Sequence, residues 1–292
     1  MSEFYGPIGW STPLNKWMSR IGDGMNLSMM TILGTHNSCA FHEKAGIGRC
    51  QHYSLTTQLN MGVRYLDIRC CVSGGVFLIH HGSIYEEMNF DDVMSECLGF
   101  LAAYPSETIF MRIKQEYSTV SNPEFMSIFN GRYQHYQRSM LFLDTCHGPG
   151  TMGKARGKIT IISNLATLPG IQWGEIIKQD VDNQSDPRKK WDLVKQQLDM
   201  AASAYKMDDL RFYLNGLNAH DGKDASDTNV YIAAAMRAQL MAYVIGKQSQ
   251  QYPAVEFYGV LATDFIDLYA EDDMKKIIYC NNGDRSSYSL KG

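Results

Sequence analysis

Strand-length apolar runs alternate with helix-length amphipathic segments along this chain, and polar residues gather at the C-terminal ends of the runs. The runs are MMTILGTH, VRYLDIRCCV, VFLIHHG, TIFMRIKQEY, MLFLD, KITIISNL, RFYLNGLN and EFYGVLATDFID. Between them, LTTQLN, FDDVMSECLGFLAAYP, residues 121–136, WDLVKQQLDMAASAYK, NVYIAAAMRAQLMAYVIG and DDMKKIIYC carry helical spacing. Residues 170–191 are the least regular, a strand with a long polar loop. Such alternation predicts a parallel sheet with crossover helices. The chain has 292 residues, no linker and no internal period. A (β/α)8 barrel of the TIM type, one domain over 1–292 with an arm over 1–28, therefore fits better than an open doubly wound sheet.

Period-two alternation then sorts the polar groups. Tyr65, Asp67 and Arg69 share one face of VRYLDIRCCV, and Phe77, Ile79 and His81 share one face of VFLIHHG beyond a Ser-Gly-Gly turn. In the first run Ile32, Gly34 and His36 share a face, and Gly34 lets another group approach closely. Arg112, Lys114 and Glu116 share a face of a fourth run, and Asp264 follows the last. Taken singly, these are accounted for as well by a buried salt bridge and satisfied core histidines. Taken together, His36, Asp67, Arg69, His81, Lys114 and Asp264 all stand at strand ends. A barrel brings the C-terminal ends of its strands to one rim, where active sites lie. Two histidines, cations and carboxylates without zinc or calcium spacing suit metal-free phosphoryl transfer. One imidazole takes a proton, the second gives one, and a guanidinium holds the phosphate oxygens.

Composition narrows the alternatives. A net charge of −4, with 45% hydrophobic and 20% charged residues, is that of an ordinary globular chain without general affinity for nucleic acid. The seven cysteines have no regular spacing and no C-x-x-C pair, so they read as free thiols rather than a disulfide or zinc framework. The first 20 residues hold no basic stretch followed by an apolar core, so no signal peptide is expected there. Pro13 is expected to start a short helix, and Trp10 and Trp17 to cap the bottom of the core.

The motifs ILGTHNS, RYLDIR, LIHHGSIY, SETIFMRIKQEY, ARGKITII and GVLATDFI, in that order, resemble bacterial phosphatidylinositol-specific phospholipase C. The resemblance implies a distorted, incompletely closed barrel that cleaves phosphatidylinositol to diacylglycerol and inositol 1,2-cyclic phosphate, a phosphorus–oxygen lyase reaction without cofactor. It implies His36 as general base, Asp264 orienting it, His81 as general acid, Arg69 on the phosphate and Asp67 fixing Arg69. Lys114, Arg156 and Asp180 resemble contacts to the inositol hydroxyls. Asn37 stands where bacterial enzymes usually carry an aspartate that supports the general acid. Asparagine also follows this histidine in the calcium-dependent eukaryotic enzymes, but those resemble this chain with carboxylates where Arg69 and Lys114 stand. The site is therefore expected to bind no metal. The partner implied is phosphatidylinositol at a membrane surface, met by a peripheral monomer. The loop from Phe41 to Tyr53 lacks tryptophan, so attachment is expected to be weak. Relatives are typically secreted. Two competing readings are a glycerophosphodiester phosphodiesterase barrel, which depends on carboxylate metal ligands, and a catalytically silent barrel that binds inositol phosphates or lipid.

Overall fold

A computed structural model describes residues 11–42, 48–143, 150–207, 209–221, 226–248, 257–278 and 280. The strands are β1 (Thr31–Thr35), β2 (Tyr65–Ser73), β3 (Val76–His81), β4 (Ile84–Asn89), β5 (Ile109–Gln115), β6 (Met140–Leu141), β7 (Ile159–Ser163), β8 (Ile171–Gln172), β9 (Ile177–Gln179), β10 (Tyr213–Gly216) and β11 (Gly259–Thr263). The helices are α1 (Leu55–Asn60), α2 (Phe90–Ala103), α3 (Asn122–Arg132), α4 (Met152–Ala155), α5 (Pro187–Lys206), α6 (Ser226–Gln248) and α7 (Glu271–Ile278). Strand order is β6-β7-β5-β2-β1-β11-β10-β9, parallel throughout, with β8 also on β7. Among the described residues no ladder joins β8 to β9, so the barrel curls without closing. Every residue of β1, β7 and β11 is buried. Parallel strands covered on both faces explain why these runs are almost continuously apolar.

One expectation needs correction. β3 is not a parallel barrel strand: it pairs antiparallel with β2 (Cys70 with Ile79, Ser73 with Val76), and β4 pairs antiparallel with β3. The first half of β2 lies in the barrel beside β5, and its second half continues past the rim as a hairpin. β3 then runs back down and returns His81 to the level of the rim. The Gly74–Gly75 turn, both residues at positive φ, was the visible signal of that hairpin.

Local chemistry fixes the element ends. Ser54 caps α1, and Gly62, at φ 96°, ends it with Gly62 N–H on Leu59 O and Val63 N–H on Gln58 O. Gly34 faces Tyr65 across the β1–β2 pair, where an added Cβ would stand 2.7 Å from Cδ1 of the ring. The close approach expected of Gly34 is thus made by a tyrosine.

The end of the barrel opposite the rim is closed by the arm. A 3-10 helix over Leu14–Arg20 follows Pro13, and Trp17 is buried with its indole N–H on Gly62 O. Trp10 lies outside the described residues. Arg64 and Glu107, both fully buried, pair at 2.7 Å, and Arg64 also donates to the carbonyls of Leu14, Asn15, Leu59 and Val63. A buried pair so fully hydrogen-bonded avoids the several kcal/mol that an unpaired ion would cost. Among the described cysteines all six are free and buried, and Cys146 lies outside the described residues. No described helix is long and apolar enough to cross a membrane.

Candidate active site

Register places the candidate groups side by side. Thr35 pairs with Thr263, so the residues that follow, His36 and Asp264, leave adjacent strands together. Asp67 pairs with Arg112 and Arg69 with Lys114 across β2 and β5. The residues after His36 and Asp264, Asn37 (φ 42°) and Phe265 (φ 49°), are both left-handed, which turns the chain sharply and leaves the preceding side chains at the strand tips. Gln51, fully buried, holds the two tips together: its amide donates to the carbonyls of both His36 and Thr263, and its oxygen accepts from Ile266 N–H.

The tautomer of His36 follows from its neighbours. Its Nε2 is 2.8 Å from Arg69 Nη2 and its Nδ1 is 2.9 Å from Asp264 Oδ1. A guanidinium can only donate, so Nε2 carries the lone pair and Nδ1–H donates to the carboxylate. This is the tautomer a general base needs, with an anion placed to stabilise the imidazolium.

Arg69 is gripped from three sides. Besides His36 it meets Asp67 at 3.1 Å and Glu116 at 3.4 Å. Burial alone would pull the guanidinium down, but Asp67 and Glu116 raise it further above its ordinary value, so it stays charged. Burial would likewise push the Asp67 carboxyl up; Arg69, Arg112 and His36 hold it well below the usual carboxylate range. Glu116, which burial would raise, is lowered by Arg69 and Lys114. Lys114 Nζ sits 2.7 Å from Glu116.

His81 has a different support. Its Nδ1 lies 2.6 Å from the carbonyl of Gly48, which can only accept, so Nε2 is left to carry the transferable proton. Burial, with His36 and Arg69 nearby, lowers its pKa below the ordinary 6.5, and the Gly48 carbonyl and Asp264 offset part of this. Gly48 stands at φ 76°, and a Cβ there would lie 3.1 Å from His81 Nδ1.

One expectation for this site is corrected, and the surroundings of Asn37, whose role the sequence leaves open, are defined. Arg156 is not in it. It follows α4 and precedes β7, which puts it at the arm end, where it donates to Met18 O, Ser106 O and Ile21 O and pairs with Asp23. Asn37 does not reach His81 directly. Its side-chain amide donates weakly to Cys50 Sγ at 3.7 Å, and its backbone N–H donates to Asp67. Cys50 Sγ in turn lies 3.8 Å from Gly48 O, so a thiol and a loop carbonyl stand between Asn37 and the second histidine.

Asp180 is brought in. A cleft of about 210 Å³ opens beside His36, lined by Tyr65, Asp67, Arg112, Trp173, Asp180, Leu214, Gly216, Asn218 and Ala262. Its lining of Asp67, Arg112, Asp180 and Asn218 offers charged and amide groups that suit a hydroxyl-rich ring rather than acyl chains. Arg112 was overlooked as a site residue. Its guanidinium lies 3.5 Å above the Trp173 ring, donates to Asn164 at 2.6 Å and stands 3.3 Å from Asp67. It shares a strand face with Lys114, so alternation alone could have found it. For Trp173, Gln51 and Gly48, all on irregular segments, no periodic signal existed.

Comparison with known proteins agrees with this fold. Residues 25–164 match the family described as phosphatidylinositol-specific phospholipase C, X domain. A 1-phosphatidylinositol phosphodiesterase of Staphylococcus aureus (strain Newman) is 28% identical over 256 residues, covering 80% of this chain and 79% of that protein. One from Listeria monocytogenes is 27% identical over 284 residues, covering 91% of this chain and 85% of the relative. The solved phosphatidylinositol-specific phospholipase C from Listeria monocytogenes superposes with a TM-score of 0.80 at 26% identity, over 93% of this chain and 100% of that one. With an X-domain match that ends on the residue after β7 and relatives aligned well beyond it, the chain is similar along most of its length to bacterial phosphatidylinositol-specific phospholipase C.

Proposed function

We propose that the protein cleaves phosphatidylinositol by attack of the inositol 2-hydroxyl on phosphorus, releasing diacylglycerol and leaving inositol 1,2-cyclic phosphate. The observation that carries this is His36, held as a base between Asp264 and Arg69 at the mouth of a polar cleft. The phosphate takes over donors of Arg69 that now rest on carboxylates and on Nε2. That shift frees the Nε2 lone pair for the hydroxyl proton. His36 becomes an imidazolium against Asp264, and His81 delivers its Nε2 proton to the departing diacylglycerol oxygen. The internal nucleophile removes the entropy cost of a bimolecular step, and each proton transfer contributes about 100- to 10,000-fold. Arg112, Lys114 and Asp180 face the ring hydroxyls. The exposed Tyr53 and Tyr85 offer aromatic contact with the interface, in keeping with a weakly attached, peripheral monomer.

Phosphorus NMR of phosphatidylinositol vesicles treated with enzyme and chelator tests the reading through the cyclic phosphate. His36→Ala and His81→Ala should each abolish most turnover without unfolding the protein. A p-nitrophenolate-like leaving group should rescue His81→Ala more than His36→Ala, and equal rescue would mean that the base and acid are misassigned.

A further inference from the structure

We propose that His36, Cys50 and Asp264 form an inhibitory site for a borderline-soft divalent cation such as zinc. One donor atom from each residue lies within 4.8 Å of the other two. Cys50 and Asp264 are buried, and His36 opens on the cleft, which gives an ion its path in. Metal–ligand bonds of about 2.0–2.3 Å put the edges of a tetrahedral site near roughly 3.3–3.8 Å. The donors therefore need to close by about 1–1.5 Å at most, while the 2.9 Å His36–Asp264 contact opens slightly. Imidazole, thiolate and carboxylate are three ligands zinc accepts, and water or a substrate oxygen completes the fourth position.

Charge and donor type together select the ion. Binding replaces the Cys50 thiol proton, which leaves to solvent, with a metal–sulfur bond. Thiolate and carboxylate then balance the two positive charges, so the loaded cluster is neutral beside Arg69. Calcium needs six to eight oxygen ligands, and here it would find one carboxylate, leaving excess positive charge against the guanidinium. Zinc, cobalt and cadmium fit; calcium and magnesium do not.

The inhibitory consequence rests on His36 being the general base; the site itself does not. If the ion takes Nε2, it occupies the lone pair that receives the substrate proton. If it takes Nδ1, the ring proton must move to Nε2 and the Asp264 contact is lost. Either way the base is disabled.

Cobalt reports the ligand set by absorption, independently of turnover. Titrating the wild-type protein with Co²⁺ should raise a near-ultraviolet sulfur-to-cobalt band with the intense visible bands of a tetrahedral ion, and release one proton per ion. Zinc should displace cobalt, abolish turnover, and be reversed by chelator. Cys50→Ser should lose the near-ultraviolet band and weaken zinc binding by about 10- to 100-fold or more. Zinc-edge X-ray absorption on the wild type, which needs no variant to fold, should show one sulfur near about 2.3 Å with nitrogen and oxygen ligands. No band at millimolar Co²⁺, a band that survives Cys50→Ser, or more than one sulfur ligand would overturn the site. Thiolate-bound metal in a protein inert towards phosphatidylinositol would keep the site and refute the proposed function instead.

Discussion

Gly48→Ala is the sharpest perturbation of the proposed general acid, because it leaves every titratable side chain in place. At φ 76° an alanine pays a left-handed penalty of about 1–2 kcal/mol, spent in a loop rather than in the core. Its methyl would start 2.5 Å from Ile84 Cδ1 and 3.1 Å from His81 Nδ1. The isoleucine tip can turn away. The imidazole cannot do so without giving up its 2.6 Å bond to the Gly48 carbonyl. Misplacing a catalytic group by about 1 Å costs on the order of 100-fold, equivalent to about 2.7 kcal/mol of barrel-independent transition-state stabilisation. We therefore expect kcat on phosphatidylinositol to fall about 100-fold while the melting temperature falls by only a few degrees. A substrate with an aryl leaving group, which departs with little protonation, should recover most of the loss. Equal losses on both substrates would show that the damage lies outside the acid, and an unchanged kcat would remove the carbonyl from its positioning role.

The remaining predictions follow from the same geometry. Catalysis needs His81 protonated and burial lowers its pKa, so the alkaline limb of kcat/KM should lie below pH 6.5, falling about tenfold per unit beyond it; a limb above 6.5 would contradict the described environment. Bound phosphate adds negative charge beside His81, so the corresponding limb in kcat should lie higher than in kcat/KM. Turnover should survive excess EDTA and not rise with calcium; loss on chelation restored by calcium would refute metal-free cleavage. Arg156→Ala removes charged donors from three carbonyls and should cost about 2–3 kcal/mol, or roughly 3–5 °C in Tm, with KM and kcat intact; a raised KM at unchanged Tm would return Arg156 to the substrate.

What could be read from the sequence, and what could not, divides along regular and irregular backbone. In β1, β2, β5 and β11 alternation fixes which side chains share a face, and parallel neighbours in register carry His36, Asp67, Arg69, Lys114 and Asp264 to one rim. His81 reached the same place for another reason, since nothing in VFLIHHG distinguishes a returning hairpin strand from a parallel one until its partner is known. Arg156 shows the opposite failure. It sits beside a strand, but at the N-terminal end, and a motif match carries no information about which end of a barrel it occupies. The neighbours of Asn37 could not be read because a loop supplies them: Cys50 and Gly48 reach the site through backbone that has no period.

The arm that closes the lower end has a consequence for the order in which the protein assembles. Met18 N–H bonds to Glu107, 89 residues further on, and Arg156 bonds back to Met18 across 138 residues. At about 5–20 residues per second a ribosome takes roughly 7–28 s to make the stretch between Met18 and Arg156. Helices and hairpins form within microseconds. Leu14, Trp17 and Met18, buried in the finished barrel, thus leave the ribosome long before the groups that cover them. A segment made early is thus fixed late, and for those seconds its apolar face is open to a chaperone, or to a neighbouring copy.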